Sequence, residues 1–129
     1  MSEFDARERF ASSRVAQLAT AGADGVPHLV PIVFAVSNDV IYTAVDAKRK
    51  SSQRLRRMAN IEVNPAVSLI VDHYDDDWSQ LWWVRADGIA TISDDPEPAL
   101  IARYPQYALQ PPPGPFLRIQ VTSWHGWSA

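Results

Sequence analysis

Alternating apolar and polar positions predict a series of short strands along the chain. The last is the clearest, because Leu117, Ile119 and Val121 alternate with polar residues and should turn one face toward a core. Similar patterns predict strands at 15–20, 40–45, 67–74 and 81–92. The run 27–36 is apolar at almost every position, which is typical of a strand buried on both faces or lying at an oligomer interface.

Turn and helix signals divide these strands. Asp24-Gly25 favours a tight hairpin after the first strand, and the next two strands should continue it as an antiparallel meander. Pro31 should leave a gap or bulge in the ladder, and Gly88 should mark a bend or bulge. Helices are predicted at 3–12, 51–62 and 96–103, and an extended loop at 111–115. About six strands with short flanking helices predict an α+β protein built on a small antiparallel barrel, because closure removes exposed sheet edges.

Length and composition narrow the class of protein. The 129 residues predict one domain, 1–129, and the 47% of hydrophobic residues are typical of a globular protein. There is no cysteine, so a thiolate metal site and a cysteine nucleophile are excluded, and the acidic residues lack the spacing of a metal loop. The charged N-terminus and the lack of a long apolar run predict a cytoplasmic protein without a membrane segment. The net charge of −3 argues against a nucleic-acid partner.

A basic run precedes the second predicted helix. Six of the 12 Lys and Arg residues fall between Lys48 and Arg57. Cations at a helix N-terminus oppose the helix dipole, so Lys48, Arg49 and Lys50 ahead of Ser51 require an explanation. A bound phosphate supplies one, because cationic side chains, a serine hydroxyl and free amide groups together form an anion cradle. The alternative interpretation is a solvated loop paired with nearby aspartates.

Tryptophans are concentrated in one segment. Three of the five lie between Trp78 and Trp83. On a strand, Trp82 and Trp83 point to opposite faces, so that one can fill the core while the other meets a groove or a partner subunit. Arg85 lies on the Trp83 face and is interpreted either as a ligand anchor or as the ion-pair partner of Asp87 or of a carboxylate in the acidic loop 75–77. The ending 124–129 is interpreted as an aromatic tail that packs on a dimer partner.

The order of these motifs resembles the split β-barrel flavin and deazaflavin oxidoreductases, which are similar to pyridoxamine 5′-phosphate oxidase. The resemblance is carried by Gly25–Ile32, Lys48–Ser52, Asn64–Asp72, Trp78 and Gly88. It implies a homodimer with a cofactor between its subunits. It also implies that the phosphate site comprises Lys48, Arg49, Lys50, Ser51 and Ser52.

The same resemblance assigns the remaining site residues. The family's second strand lines the cofactor ring, which implies His28, Val30, Pro31 and Ile32; Val30 and Pro31 stand where some members have polar residues. The wall contributed by a second subunit would comprise Trp78, Trp82 or Trp83, Arg85, His125 and Trp127.

The implied activity is hydride transfer between coenzyme F420 and a small conjugated organic substrate. The cofactor carries this chemistry, so no catalytic side chain is assigned. Arg54 and Arg57 are assigned to the long anionic tail of F420. The alternatives are an FMN-binding oxidase of the same fold and a carrier that binds a flavin or deazaflavin without catalysis.

Overall fold

Seven antiparallel strands form one curled sheet in the computed structural model, which describes residues 1–45 and 52–129, with side chains in the second range from residue 56 onward. The strands are β1 (Ala16–Ala21), β2 (Pro27–Ile32), β3 (Ala35–Ser37), β4 (Val40–Ala44), β5 (Ala66–His73), β6 (Trp82–Ser93) and β7 (Phe116–Ser128). The helices are α1 (Glu3–Ser12), α2 (Ser52–Val63), α3 (Pro98–Arg103) and α4 (Pro105–Leu109), with a 3-10 turn at Trp78–Gln80. The predicted α+β split barrel is confirmed, with seven strands in place of about six.

The order of strands across the sheet is β2-β1-β5-β6-β7-β4-β3, and it corrects the predicted meander. The apolar run 27–36 is two strands, because β2 ends at Ile32 and β3 begins at Ala35. These two strands lie at opposite ends of the order. Three steps of extended chain span about 11 Å at most, so the two ends of the sheet must approach each other. The short connection between β2 and β3 is therefore possible only because the sheet is curled.

Side chains from a distant segment hold the break between β2 and β3. The carbonyl oxygen of Phe34 accepts hydrogen bonds from Tyr104 Oη and Arg103 Nη1, both at 2.6 Å. The Phe34 amide donates to Tyr104 Oη at 2.9 Å, and Thr43 Oγ1 donates to the carbonyl of Val33 at 2.7 Å. These bonds replace ladder bonds that continuous pairing would have supplied. The pattern of residues 27–36 does not reveal them, because Tyr104 is 70 positions away.

The inner face of the sheet carries the main core. Leu117, Ile119 and Val121 are buried there, as their alternation predicted. Helix α1 adds Phe10, whose ring packs against Phe34 and Trp124 at centroid distances of 4.9 and 5.3 Å. The outer face of the same sheet exposes apolar side chains: Leu29, Ile70, Ile89 and Trp127.

The pairing of β6 with β7 slips at the predicted bulge. Asp87 lies opposite Ser123 while Gly88 lies opposite Val121, so the additional residue is on β7. A Cβ atom at Gly88 would lie 2.5 Å from the carbonyl oxygen of Gln120, and this close approach requires glycine. The interpretation of 124–129 as a tail is wrong. Residues up to Ser128 continue β7 along β6, because backbone pairing with β6 orders a segment too short for a core of its own.

The local helix signals agree with the structure. Ser2 caps α1 by accepting a hydrogen bond from the Asp5 amide at 3.0 Å, and α2 ends at Val63, one residue beyond the predicted helix 51–62 and directly before Asn64-Pro65. Helix α4 was not predicted. No helix in the described part of the chain has the length and apolar character needed to cross a bilayer.

Candidate functional site

The inner face of β2 places two predicted ring-binding residues side by side. Strand alternation turns His28, Val30 and Ile32 inward and Pro31 outward. His28 and Val30 are half-buried, whereas Ile32 is buried in the main core. The four residues assigned from the resemblance therefore do not share one face, and His28 and Val30 are the pair open to a ligand.

A polar set surrounds His28. Thr20 of β1 is its cross-strand neighbour, and Thr20 Oγ1 accepts a hydrogen bond from Asn60 Nδ2 of α2 at 3.1 Å. Arg57 and Asn60 are one helical turn apart on α2 and are each only 8% exposed. The Nδ1 atom of His28 is buried and has no hydrogen-bond partner among the described residues. An unpaired buried nitrogen costs free energy, which marks this position as built for a further partner.

Charge also acts on His28. Burial lowers the pKa of its imidazole below the ordinary value of 6.5, and the guanidinium charges of Arg56 and Arg57 lower this pKa further. His28 is therefore neutral at neutral pH, with one ring nitrogen protonated. Arg56 is exposed, while Arg57 is buried on the helix. The inner face of β2 and α2 thus present two cations and a neutral imidazole together.

The predicted basic run directly precedes helix α2, which carries Arg56 and Arg57, in the sequence. Lys48, Arg49, Lys50 and Ser51 lie outside the described residues. Ser52 is the first residue of α2, and Arg54 is within the same helix.

The second predicted group lies on the outer face of β6. Trp83 is opposite Trp127, and Arg85 is opposite His125. Trp82 takes the other face, where its ring stacks on His73 at a centroid distance of 6.2 Å and lies 5.2 Å from the Arg9 guanidinium. Trp83, not Trp82, is therefore the tryptophan available to a partner. Trp78, in the 3-10 turn, is 76% exposed.

Asp87 is the centre of a polar network on this outer face. Its Oδ1 accepts hydrogen bonds from Ser68 Oγ at 2.7 Å and Arg85 Nε at 3.1 Å. Its Oδ2 lies 3.4 Å from Ser123 Oγ and 3.6 Å from His125 Nε2. Burial by itself would raise the pKa of Asp87, but the Ser68 and Arg85 hydrogen bonds and the nearby cationic groups lower this pKa overall. The interpretation of Arg85 as the ion-pair partner of Asp87 is confirmed.

The serine, histidine and aspartate of this network do not form a nucleophilic triad. In such a triad the two ring nitrogens of histidine serve different partners. Here the same atom, His125 Nε2, lies 3.2 Å from Ser123 Oγ and 3.6 Å from Asp87 Oδ2. The network therefore has the geometry of a stabilising cluster.

An open groove runs beside the network. It has a volume of about 400 Å³ and is lined by small and apolar residues with Asp87 at its side: Ala19, Ala21, Pro27, Ser68 and Ile89. The groove lies mainly on the outer face, and Thr20, the cross-strand neighbour of His28, also lines it.

One chain does not bring the two groups together. Strands β2 and β6 are separated by β1 and β5. At about 4.8 Å per strand spacing they are about 14 Å apart, and the groups occupy opposite faces. His28 therefore does not form one surface with Trp83 and Arg85 of the same chain.

Several residues around His28 escaped sequence reasoning. Thr20 and Asn60 were not predicted. Asn60 did carry a signal, since it is a polar residue next to the apolar stripe of α2 formed by Met58 and Ile61.

Comparisons with known proteins identify the family to which this fold belongs. The sequence matches the pyridoxamine 5′-phosphate oxidase family over residues 4–128, and the chain belongs to that family. Its sheet is thus the split barrel of that family. The comparison with curated proteins gave no match.

Three solved structures are similar to the chain. A conserved hypothetical protein from Mycobacterium tuberculosis is 27% identical, with a TM-score of 0.76, over 99% of this chain and 85% of that one. A FAD-binding protein from Mesorhizobium loti is 21% identical, with a TM-score of 0.71, over 98% and 94% of the two chains. An F420 reductase is 23% identical, with a TM-score of 0.62, over 92% and 94%. The similarities to the FAD-binding protein and to the F420 reductase show that these proteins share the fold of this chain.

Proposed function

We propose that this protein is a cytoplasmic oxidoreductase that binds coenzyme F420 and transfers hydride between it and a small conjugated organic substrate. The observation that carries the proposal is the buried Nδ1 of His28, which has no partner in the described part of the chain and lies beside two guanidinium groups, in a chain of the pyridoxamine 5′-phosphate oxidase family. Such a place accepts a phosphorylated ring compound, because it offers hydrogen bonding, positive charge and an apolar strand face together.

The side chains of this protein would bind and orient the cofactor. Val30 would contact the ring, and His28 with Arg56 and Arg57 would meet its polar or anionic groups. The bound cofactor supplies the hydride chemistry, so the protein's contribution is position, charge and exclusion of water. From the sequence, the phosphate would be held by Lys48, Arg49, Lys50, Ser51 and Ser52.

A second copy would complete the site. Trp83 and Arg85 cannot reach His28 of their own chain, so their proposed contact with the cofactor requires another subunit. The exposed apolar side chains of the outer face support association through that face. Sedimentation at micromolar concentration should give a homodimer, and Ile70→Asp should weaken it because it buries a charge in the contact. A monomeric wild-type protein would contradict this part of the proposal.

Titration of the purified protein with F420 and with FMN tests the choice of cofactor. We expect tighter binding of F420 and a steeper loss of its affinity with salt, since its anionic tail forms more charge pairs that salt screens. Lys50→Ala should weaken binding by about 1.5–3 kcal/mol, the contribution of a hydrogen bond to a charged group. Arg14→Ala, at an exposed arginine of another segment, is the matched control.

The second candidate is an FMN-binding oxidase, which the family itself supports. Equal affinities and equal salt dependence for F420 and FMN would favour it. A carrier without catalysis is the third candidate. It would bind one of the cofactors tightly, while the reduced cofactor persisted unchanged with every conjugated acceptor supplied.

A further inference from the structure

The unpaired nitrogen of His28 restricts the kind of group that can fill the space beside it. Thr20 and Asn60 already satisfy each other through their 3.1 Å hydrogen bond. His28 Nδ1 has no such partner among the described residues. A ligand that enters here must therefore supply a hydrogen-bonding atom at Nδ1, or the nitrogen remains buried at a cost.

The positive charge around His28 favours a ligand group that carries negative charge. The charges that act on His28 come from Arg56 and Arg57, both on α2, and no described carboxylate is among them. Its cross-strand neighbour on β1, Thr20, is uncharged. An anion would offset the repulsion between these two cations and a protonated imidazole, and anionic oxygens only accept hydrogen bonds.

We propose that an anionic oxygen of the ligand binds beside His28 and that this binding is coupled to uptake of one proton from solvent by the imidazole, whose Nδ1–H then donates to that oxygen. This inference deepens the proposed function and rests on it only for the identity of the natural ligand. His28 is in this view a positioning residue that recognises charge.

Proton coupling has a direct consequence for affinity. His28 is neutral in the free protein at neutral pH, and it takes up a proton on anion binding at pH values between the midpoint of the free protein and that of the complex. Affinity for the anion should therefore rise as the pH falls from the midpoint of the complex to that of the free protein. Within that window the gain approaches tenfold per pH unit, because one proton accompanies each ligand.

The experiment is a pH titration of the histidine ring signals by NMR, with sulfate as the probe. Sulfate keeps its charge throughout the titration of histidine, so every change in protonation belongs to the protein. Sodium chloride at equal ionic strength is the reference. We expect sulfate to raise the midpoint of His28 by about one unit or more, as expected for a histidine beside a bound anion.

Variants supply the second measurement. His28→Gln should make sulfate affinity independent of pH in this range, and Arg56→Gln should weaken sulfate binding at all pH values. His73→Gln is the matched control and should change neither. An unchanged His28 midpoint at saturating sulfate, no sulfate binding, or persistent pH dependence in His28→Gln would each overturn the inference.

The same titration with FMN and F420 separates this inference from the proposed function. If a cofactor binds and the midpoint of His28 stays fixed, proton coupling is wrong and cofactor binding stands. If neither cofactor binds while sulfate shifts the midpoint, the proposed function is wrong and the coupled anion site stands.

Discussion

The two histidine-containing clusters of this protein differ in whether their polar groups are satisfied. On the outer face, Asp87 receives hydrogen bonds from Ser68 and Arg85 and has His125 nearby. On the inner face of β2, His28 keeps a buried nitrogen without a partner among the described residues, next to cations that disfavour its protonation. The first cluster therefore stabilises the fold, whereas the second retains an unmet requirement that a ligand can satisfy.

The largest expected effect is the loss of Asp87. Asp87→Ala removes the acceptor of Ser68 and leaves Arg85 without its ion-pair partner. We expect the free energy of unfolding to fall by about 1.5–3 kcal/mol, the range for hydrogen bonds to charged groups. Asp76→Ala is the matched control, because the Asp76 side chain is exposed and makes no hydrogen bond or ion pair within the described residues, so its loss should change the free energy of unfolding by less than about 0.5 kcal/mol. Equal effects in urea unfolding would contradict the comparison.

Acidification should affect the two clusters in different pH ranges. The folded state lowers the pKa of His28 from 6.5, so the unfolded chain binds more protons below that pH and stability falls. The pKa of Asp87 is lowered from 3.8, so its stabilisation is present above that value and is lost as the pH falls further. Unfolding measured from pH 8 to pH 3 should show both losses. His28→Gln should remove the upper one only.

Replacing His28 by an apolar residue should act in the opposite direction to the loss of Asp87. His28→Leu removes a buried nitrogen without a partner, so the free energy of unfolding at neutral pH should stay level or rise by up to about 1 kcal/mol. Affinity for sulfate should fall in the same variant. A clear loss of stability would show that His28 is a structural residue after all.

The smallest effect should rank the contacts within the outer network. Ser68 Oγ lies 2.7 Å from Asp87 Oδ1, whereas Ser123 Oγ lies 3.4 Å from Oδ2. Ser68→Ala should cost about 1 kcal/mol and Ser123→Ala less than about 0.5 kcal/mol, since hydrogen bonds weaken at long distance. Thermal unfolding of the two variants under one buffer condition measures the difference. The reverse order would place the main support of Asp87 on β7.

Local features were within reach of the sequence. The capped helix α1, the end of α2 before Asn64-Pro65 and the inward face of β7 follow from capping, proline and alternation, which act between neighbours in the chain. Gly88 was predictable for the same reason, since a glycine within a strand pattern marks a bulge or a close approach. The resemblance to a flavin-binding family led to the class of protein, which the family match confirms.

The arrangement of the sheet required the tertiary structure. The run 27–36 has one uniform pattern, yet it is divided at Phe34, where Arg103 and Tyr104 satisfy the backbone. Such contacts join residues far apart in the sequence, and no periodicity encodes them.

The division of the candidate site has the same origin. The resemblance placed His28 beside the cofactor ring and assigned Trp83 and Arg85 to the wall contributed by a second subunit. Only the strand order and the two faces of the sheet show that these groups lie about 14 Å apart within one chain. The sequence by itself determined which residue types are available and where the locally encoded elements lie, such as α1, α2 and the inward face of β7. Tertiary structure decided which side chains meet and which buried nitrogen lacks a partner, because burial and pairing depend on groups that distant parts of the chain bring together.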